Sequence, residues 1–131
     1  MIDHVSITVP DLDVAARFYD AVMAALGVPV VGRSGRWIGY GPRADAAHPD
    51  RCFLALYAGP APEPGSHRHW CFKAPDRASV DTFWRAGLAA GGTDDGPPGL
   101  RPHYHPHYYG AFLRDPAGNR VEAVCNEAAP A

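Results

Sequence analysis

Near the end of this chain a carboxylate, Glu122, stands in an apolar strand-like run between Val121, Ala123 and Val124. An acidic group in such a setting is costly unless a cation or a hydrogen-bond donor meets it. Upstream, His103, Tyr104, His105, His107, Tyr108 and Tyr109 crowd imidazoles and phenols into seven residues. Imidazole can take a proton near neutral pH, and a phenol can hydrogen-bond an oxyanion. His103, Tyr108 and Tyr109 are the candidate catalytic members of this group. Tyr104 and His105, with Arg101 and Trp37, are candidates for contact with substrate. The plainer alternatives stay open: a surface loop with incidental aromatics for 103–109, and a core position for Trp37.

Strands and helices must position these groups. Ile2 to Val9 alternates with period two, setting Val5, Ile7 and Val9 toward a core and His4 the other way. Pro10 ends that strand, and Asp11 and Asp13 are both possible caps for the helix that follows. Val14, Phe18, Val22 and Leu26 repeat at helical spacing, and Gly27 stops the helix. Residues 28–33, 37–40 and 52–57 read as three more strands. The Pro/Gly-rich stretch 59–66 has the composition of a linker.

The pattern then restarts. A strand from His69 ends in Pro75-Asp76, and Asp76 caps a helix with Val80, Phe83, Trp84 and Leu88 on one face. Thr93 to Pro102 reads as a turn-rich loop. Residues 108–114 and 120–125 read as strands joined by the turn Asp115-Pro116-Ala117-Gly118-Asn119. With an offset of 65, His4 falls on His69, Pro10 on Pro75, Asp11 on Asp76, Phe18 on Phe83 and Gly27 on Gly92. Such a register signals a duplicated supersecondary unit. A pseudo-two-fold packing of the two units would bring His4 and His69 toward each other, with Glu122 placed to complete the set. His67, two residues before His69 on the same strand face, competes for that role; the repeat register selects His69.

Asp3-His4-Val5 with Pro10-Asp11-Leu12 and Phe18-Tyr19, then His69 and the run Asp115 to Glu122 (a DPxGNxxE signature), resemble the vicinal oxygen chelate superfamily. That group holds glyoxalases, extradiol dioxygenases, fosfomycin-resistance enzymes and bleomycin-resistance binding proteins. The resemblance spans essentially the whole chain. It implies an α+β fold of two βαβββ modules, about 1–58 and 67–126 of one domain over 1–131, with curled mixed sheets around a metal cavity. It implies His4, His69 and Glu122 as ligands of a divalent metal ion, Fe, Mn, Ni, Co or Zn. Glyoxalases take a fourth ligand from the last strand of the first module. Here that strand, Arg51 to Ala58, carries neither carboxylate nor histidine. A 2-His-1-carboxylate set remains, which suits a first-row metal with positions open for a substrate bearing neighbouring oxygens. Near Phe112, where dioxygenases of the superfamily place a tyrosine, this chain has a side chain that cannot donate a proton.

Composition narrows the function classes. The 131 residues carry a formal net charge of −2 with no basic stripe, which gives no footprint for nucleic acid. No apolar run approaches the ~20 residues of a membrane span. Cys52, Cys71 and Cys125 lie in apolar runs without CxxC spacing and read as buried, reduced thiols of a cytoplasmic protein. Two functions compete: a metal-dependent lyase, isomerase or dioxygenase acting on a small molecule, and a metal-free sequestration module of the bleomycin-resistance type. A homodimer is the expected assembly, with the site formed within one chain or across the pair.

Overall fold

The computed structural model describes residues 1–65 and 67–131; the expected linker 59–66 therefore ends, at Ser66, outside the described residues. The first unit runs β1 (His4–Val9), α1 (Leu12–Ala25), β2 (Val30–Arg33), β3 (Trp37–Tyr40) and β4 (Phe53–Ala58). The second runs β5 (His69–Lys73), α2 (Arg77–Ala89), β6 (Thr93–Leu100), β7 (Tyr109–Arg114) and β8 (Arg120–Cys125). Each unit is βαβββ, and the two form separate four-stranded sheets ordered β1-β4-β3-β2 and β5-β8-β7-β6. The two-module α+β architecture read from the repeat is the one found.

Local chemistry explains most elements. The alternation in β1 buries Ile7 and Val9 and leaves His4, Ser6 and Thr8 on the outer face. Asp11 caps α1 by accepting from the amides of Asp13 and Val14, and Asp76 caps α2 by accepting from Ser79 at 2.7 Å. β1 pairs parallel with β4, His4 opposite Phe53 and Ser6 opposite Ala55. β5 pairs parallel with β8, His69 opposite Arg120 and Cys71 opposite Glu122.

Two expectations need correction. Thr93–Leu100 is a strand, not a loop. Pro97 and Pro98 lack amide donors, but β6 is an edge strand that pairs only with β7, where prolines can be carried. Its register slips on both sides of Gly96, so no period-two pattern shows in the sequence. The cysteines are also not uniformly buried. Cys125 is buried, but Cys52 and Cys71 are exposed, since Cys71 stands on the sheet face turned away from the helix.

The two units are joined by their helices and one turn. The apolar face of α1 (Phe18, Tyr19, Val22) shares one buried cluster with Val80 and Phe83 of α2 and Leu113 of β7. Gly87 permits this approach: a Cβ there would lie 2.3 Å from Leu113 Cδ1 and 3.0 Å from Val22 Cγ1. Asp115, 3% exposed, accepts from the amides of Ala117 and Asn119, from Asn119 Nδ2, and across the units from the Tyr19 hydroxyl at 2.7 Å. Among the described residues no helix is long and apolar enough to cross a membrane.

Burial first, then the charge of Asp115, holds the Tyr19 phenol well above its usual range. Burial and the bond to Asp20 raise Tyr40 likewise. In the unfolded chain these phenols ionise at about pH 10, whereas in the folded chain they stay protonated. The folded state thus binds more protons in alkali. Unfolding free energy is expected to hold through neutral pH and fall as pH rises above about 10. Tyr19→Phe is expected to cost about 1.5–3 kcal/mol at neutral pH, because a buried carboxylate loses a donor, and to flatten the alkaline slope; urea unfolding across pH reads both.

Candidate active site on the second sheet

On the second sheet, the face turned away from α2 carries Arg120 and Glu122 of β8, His69 and Cys71 of β5, and Gly110 and Phe112 of β7. Glu122 is 2% exposed. Its Oε2 lies 3.3 Å from His69 Nε2, and its Oε1 accepts from the Tyr108 hydroxyl. Gly110 makes room for this pair, since a Cβ there would lie 3.2 Å from Glu122 Oε1 and 3.1 Å from the Tyr108 ring. The partner that a carboxylate in this strand demands is therefore a phenol and an imidazole together.

The aromatic run 103–108 folds over that edge. The His103 and Tyr104 rings are 4.2 Å apart, Tyr104 and Tyr108 4.7 Å, and His105 and Tyr108 5.5 Å. His105 Nε2 is 2.8 Å from Asn126 Oδ1, which fixes its ring. The Arg101 guanidinium lies over the Phe112 ring at 5.6 Å, and Phe112 is the ladder partner of Glu122. His69, Glu122, Tyr108, Tyr104, His103, His105 and Arg101 thus gather on one side of one sheet.

Three candidates stand elsewhere. The Tyr109 side chain lies on the opposite face of β7, where its hydroxyl donates to Asp81 of α2 at 2.7 Å and its ring lies beneath Arg77. His4 is on the outer face of the first sheet, Nδ1 2.7 Å from Asp3 Oδ1. Trp37 shares that face with Phe53, across Gly39, and the Arg43 guanidinium lies 4.2 Å over the Phe53 ring. Ladder position makes Ala55 the first-sheet counterpart of Glu122. His69 and Glu122 offer two metal donors side by side, but no group of three His, Cys, Asp or Glu side chains stands close enough to hold a metal ion among the described residues.

Cys71 is the site residue that sequence reasoning missed. Its signal was present: it follows His69 by two and so shares its strand face. Although the residue is exposed, burial around the thiol, then the charge of Glu122, push it up to about 12. Burial and the bond to Glu122 raise Tyr108 as well. Both groups hold their protons at neutral pH. Tyr108 is a donor here and Cys71 is no thiolate nucleophile.

The comparisons agree with this architecture. The family model for the Glyoxalase/Bleomycin resistance protein/Dioxygenase superfamily matches residues 1–123, and the chain belongs to that superfamily. It is similar to a glyoxalase/bleomycin resistance protein from Albidiferax ferrireducens, with 33% identity, coverage of 95% of this chain and 97% of that one, and a TM-score of 0.76. It is 31% identical over 125 residues to the uncharacterized protein PA2024 of Pseudomonas aeruginosa, covering 91% of this chain and 84% of that protein. The bleomycin resistance determinant encoded on transposon Tn5 shares the fold, at 24% identity, coverage of 95% and 97%, and a TM-score of 0.61.

Tyr108→Phe leaves Glu122 Oε1 buried without its donor and is expected to cost about 1–3 kcal/mol in chemical denaturation. Tyr109→Phe, whose bond to Asp81 is only part-buried, is expected to cost about 1 kcal/mol or less.

Proposed function

We propose that this protein is a metal-dependent enzyme acting on a small molecule whose neighbouring oxygens chelate the metal, by lyase, isomerase or dioxygenase chemistry. We infer further that two copies of the chain complete each site. The observation that carries this is the pairing of His69 Nε2 with Glu122 Oε2 on one sheet while His4 stands on the other. One protomer supplies His69 and Glu122, and its partner supplies the imidazole of His4. Two imidazoles and a carboxylate fit a divalent first-row metal, which when bound polarises a coordinated oxygen.

The chain's own groups divide the remaining work. The protonated phenol of Tyr108 donates to Glu122 in the free protein and is placed to donate to substrate oxygen. His103 stacks on Tyr104 as an imidazole that can take up or hand on a proton, while His105, whose Nδ1 accepts from the His107 amide and whose Nε2 meets Asn126 Oδ1, holds the Tyr108 ring in place. Tyr104 and the Arg101–Phe112 pair wall the approach, the guanidinium favouring a negatively charged or oxygen-rich substrate. A second reading, metal-free sequestration of a planar ligand, rests on the first sheet's outer face, which carries Trp37, Phe53 and Tyr57, with Arg43 over the Phe53 ring.

Metal analysis of protein purified without chelators separates the two. One metal ion per chain is expected for the wild type, and close to none for His4→Ala, His69→Ala or Glu122→Gln. Mixing His4→Ala with Glu122→Gln in equal amounts is expected to restore about a quarter of the wild-type metal, because about half the pairs are mixed at statistical exchange and one of the two sites in each mixed pair regains every ligand. A wild type that takes up no metal would remove the enzyme reading in favour of sequestration. Metal bound without complementation would place the site within one chain.

A further inference from the structure

A second cavity adjoins the Glu122 face at its Arg114–Arg120 end. It has a volume of about 570 Å³ and opens between the two units, where 60–65 crosses from one sheet to the other. That is within the range of small-molecule pockets. Ser6, Ile7 and Thr8 all line it, and three consecutive strand residues can do so only edge-on. The wall is thus the outer edge of β1, which has no partner strand among the described residues and presents backbone amides and carbonyls. Asn119 Nδ2 donates to Thr8 O at 3.3 Å and ties the two walls together. Trp70 supplies a flat apolar surface, and Pro60, Pro62 and Pro64 also line the cavity with side chains that lose little freedom on binding. His69, Glu122 and Tyr108 are not among the lining residues.

Charge gives the cavity its selectivity. Arg68, Arg114 and Arg120 line it, and Glu63 is its one lining carboxylate. Asp95 meets Arg114 Nε at 3.5 Å and Arg120 Nε at 2.9 Å. The Arg114–Arg120 pair, with one carboxylate between two guanidiniums, keeps one positive charge in excess. Asp95 engages both guanidiniums through Nε, so their Nη groups keep the forked geometry that suits a carboxylate.

We propose that this inter-module cleft is a second ligand site, for a small organic monoanion with a flat apolar body, an aromatic carboxylate being the simplest form. The carboxylate is held by Arg114 and Arg120, and the body lies between Trp70 and the prolines. The full chain, stripped of metal with chelator so that the Glu122 face cannot answer through a metal ion, is titrated calorimetrically with benzoate, phenyl phosphate and benzamide. Benzoate is expected to saturate one site per chain, with benzamide weaker by about tenfold or more. Arg120→Gln and Arg114→Gln are expected to weaken benzoate by a similar factor. Asp95→Asn, which lifts a competing carboxylate from both arginines, is expected to tighten it several-fold. Arg120→Lys keeps the charge without the fork and tests the contact if the glutamine variant does not fold; it too is expected to bind more weakly. The proposal is overturned by benzamide binding as well as benzoate, by phenyl phosphate binding more tightly than benzoate, or by the absence of saturable binding. Affinity that falls with His69→Ala and is indifferent to the arginines would also overturn it, since benzoate would then sit on the Glu122 face.

Discussion

The hydrogen bond from Tyr19 to Asp115 is the constraint on which the arrangement of the two halves rests. Among the described residues no ladder joins the sheets, so the halves are held by packing of α1 and α2, by this buried polar link and by the Asn119 amide donating to Thr8 O. Asp115 also organises its own turn, accepting from Ala117 and Asn119. One carboxylate therefore sets the shape of the β7–β8 connection and the place where α1 docks on it. A buried carboxylate of this kind is tolerable because every donor aimed at it is already fixed by the fold. The Asp-Pro-Ala-Gly-Asn run is in this sense an interdomain-style fastener as much as a turn.

Docking through helices has a consequence for chemistry. It leaves the outer faces of both sheets outside the core that the two units share. His4 stays on one and the His69–Glu122 pair on the other, so the ligand set that the duplication suggests is divided rather than assembled. The same docking leaves the edge of β1 unpaired and opens the cleft beneath 60–65. A fold that joins two sheets by their backs sets His4 and Glu122 on different faces and leaves a seam between the units.

The two copies of the duplicated unit have also diverged in a legible way. Ladder register sets Ala55 against Glu122, and replaces a hydrogen-bonded carboxylate with a methyl group. Around Ala55 the first sheet has become aromatic, with Trp37 and Phe53 packed over Gly39. Around Glu122 the second has become polar, with His69, Tyr108 and Cys71. The first face offers apolar surface and the second hydrogen-bonding and titratable groups.

Much of this was readable without coordinates, because it follows from local periodicity. The alternation around Ile7 and Val9, the caps at Asp11 and Asp76, and the duplicated register of His4 and His69 are properties of neighbouring residues in the chain. So was the demand that Glu122 find a donor. Sequence did not reveal β6, because prolines and bulges erase the period of an edge strand that pairing with β7 nonetheless imposes. Nor did it separate Tyr108 from Tyr109, since one residue of register decides which phenol reaches Glu122 and which reaches Asp81. The position of His4 relative to Glu122, and the seam lined by Arg114, Arg120 and Trp70, depend on how two finished units dock. That is set by the fit of Phe18 and Val22 against Gly87 and by Tyr19 meeting Asp115, contacts between residues far apart in the chain that no local pattern encodes.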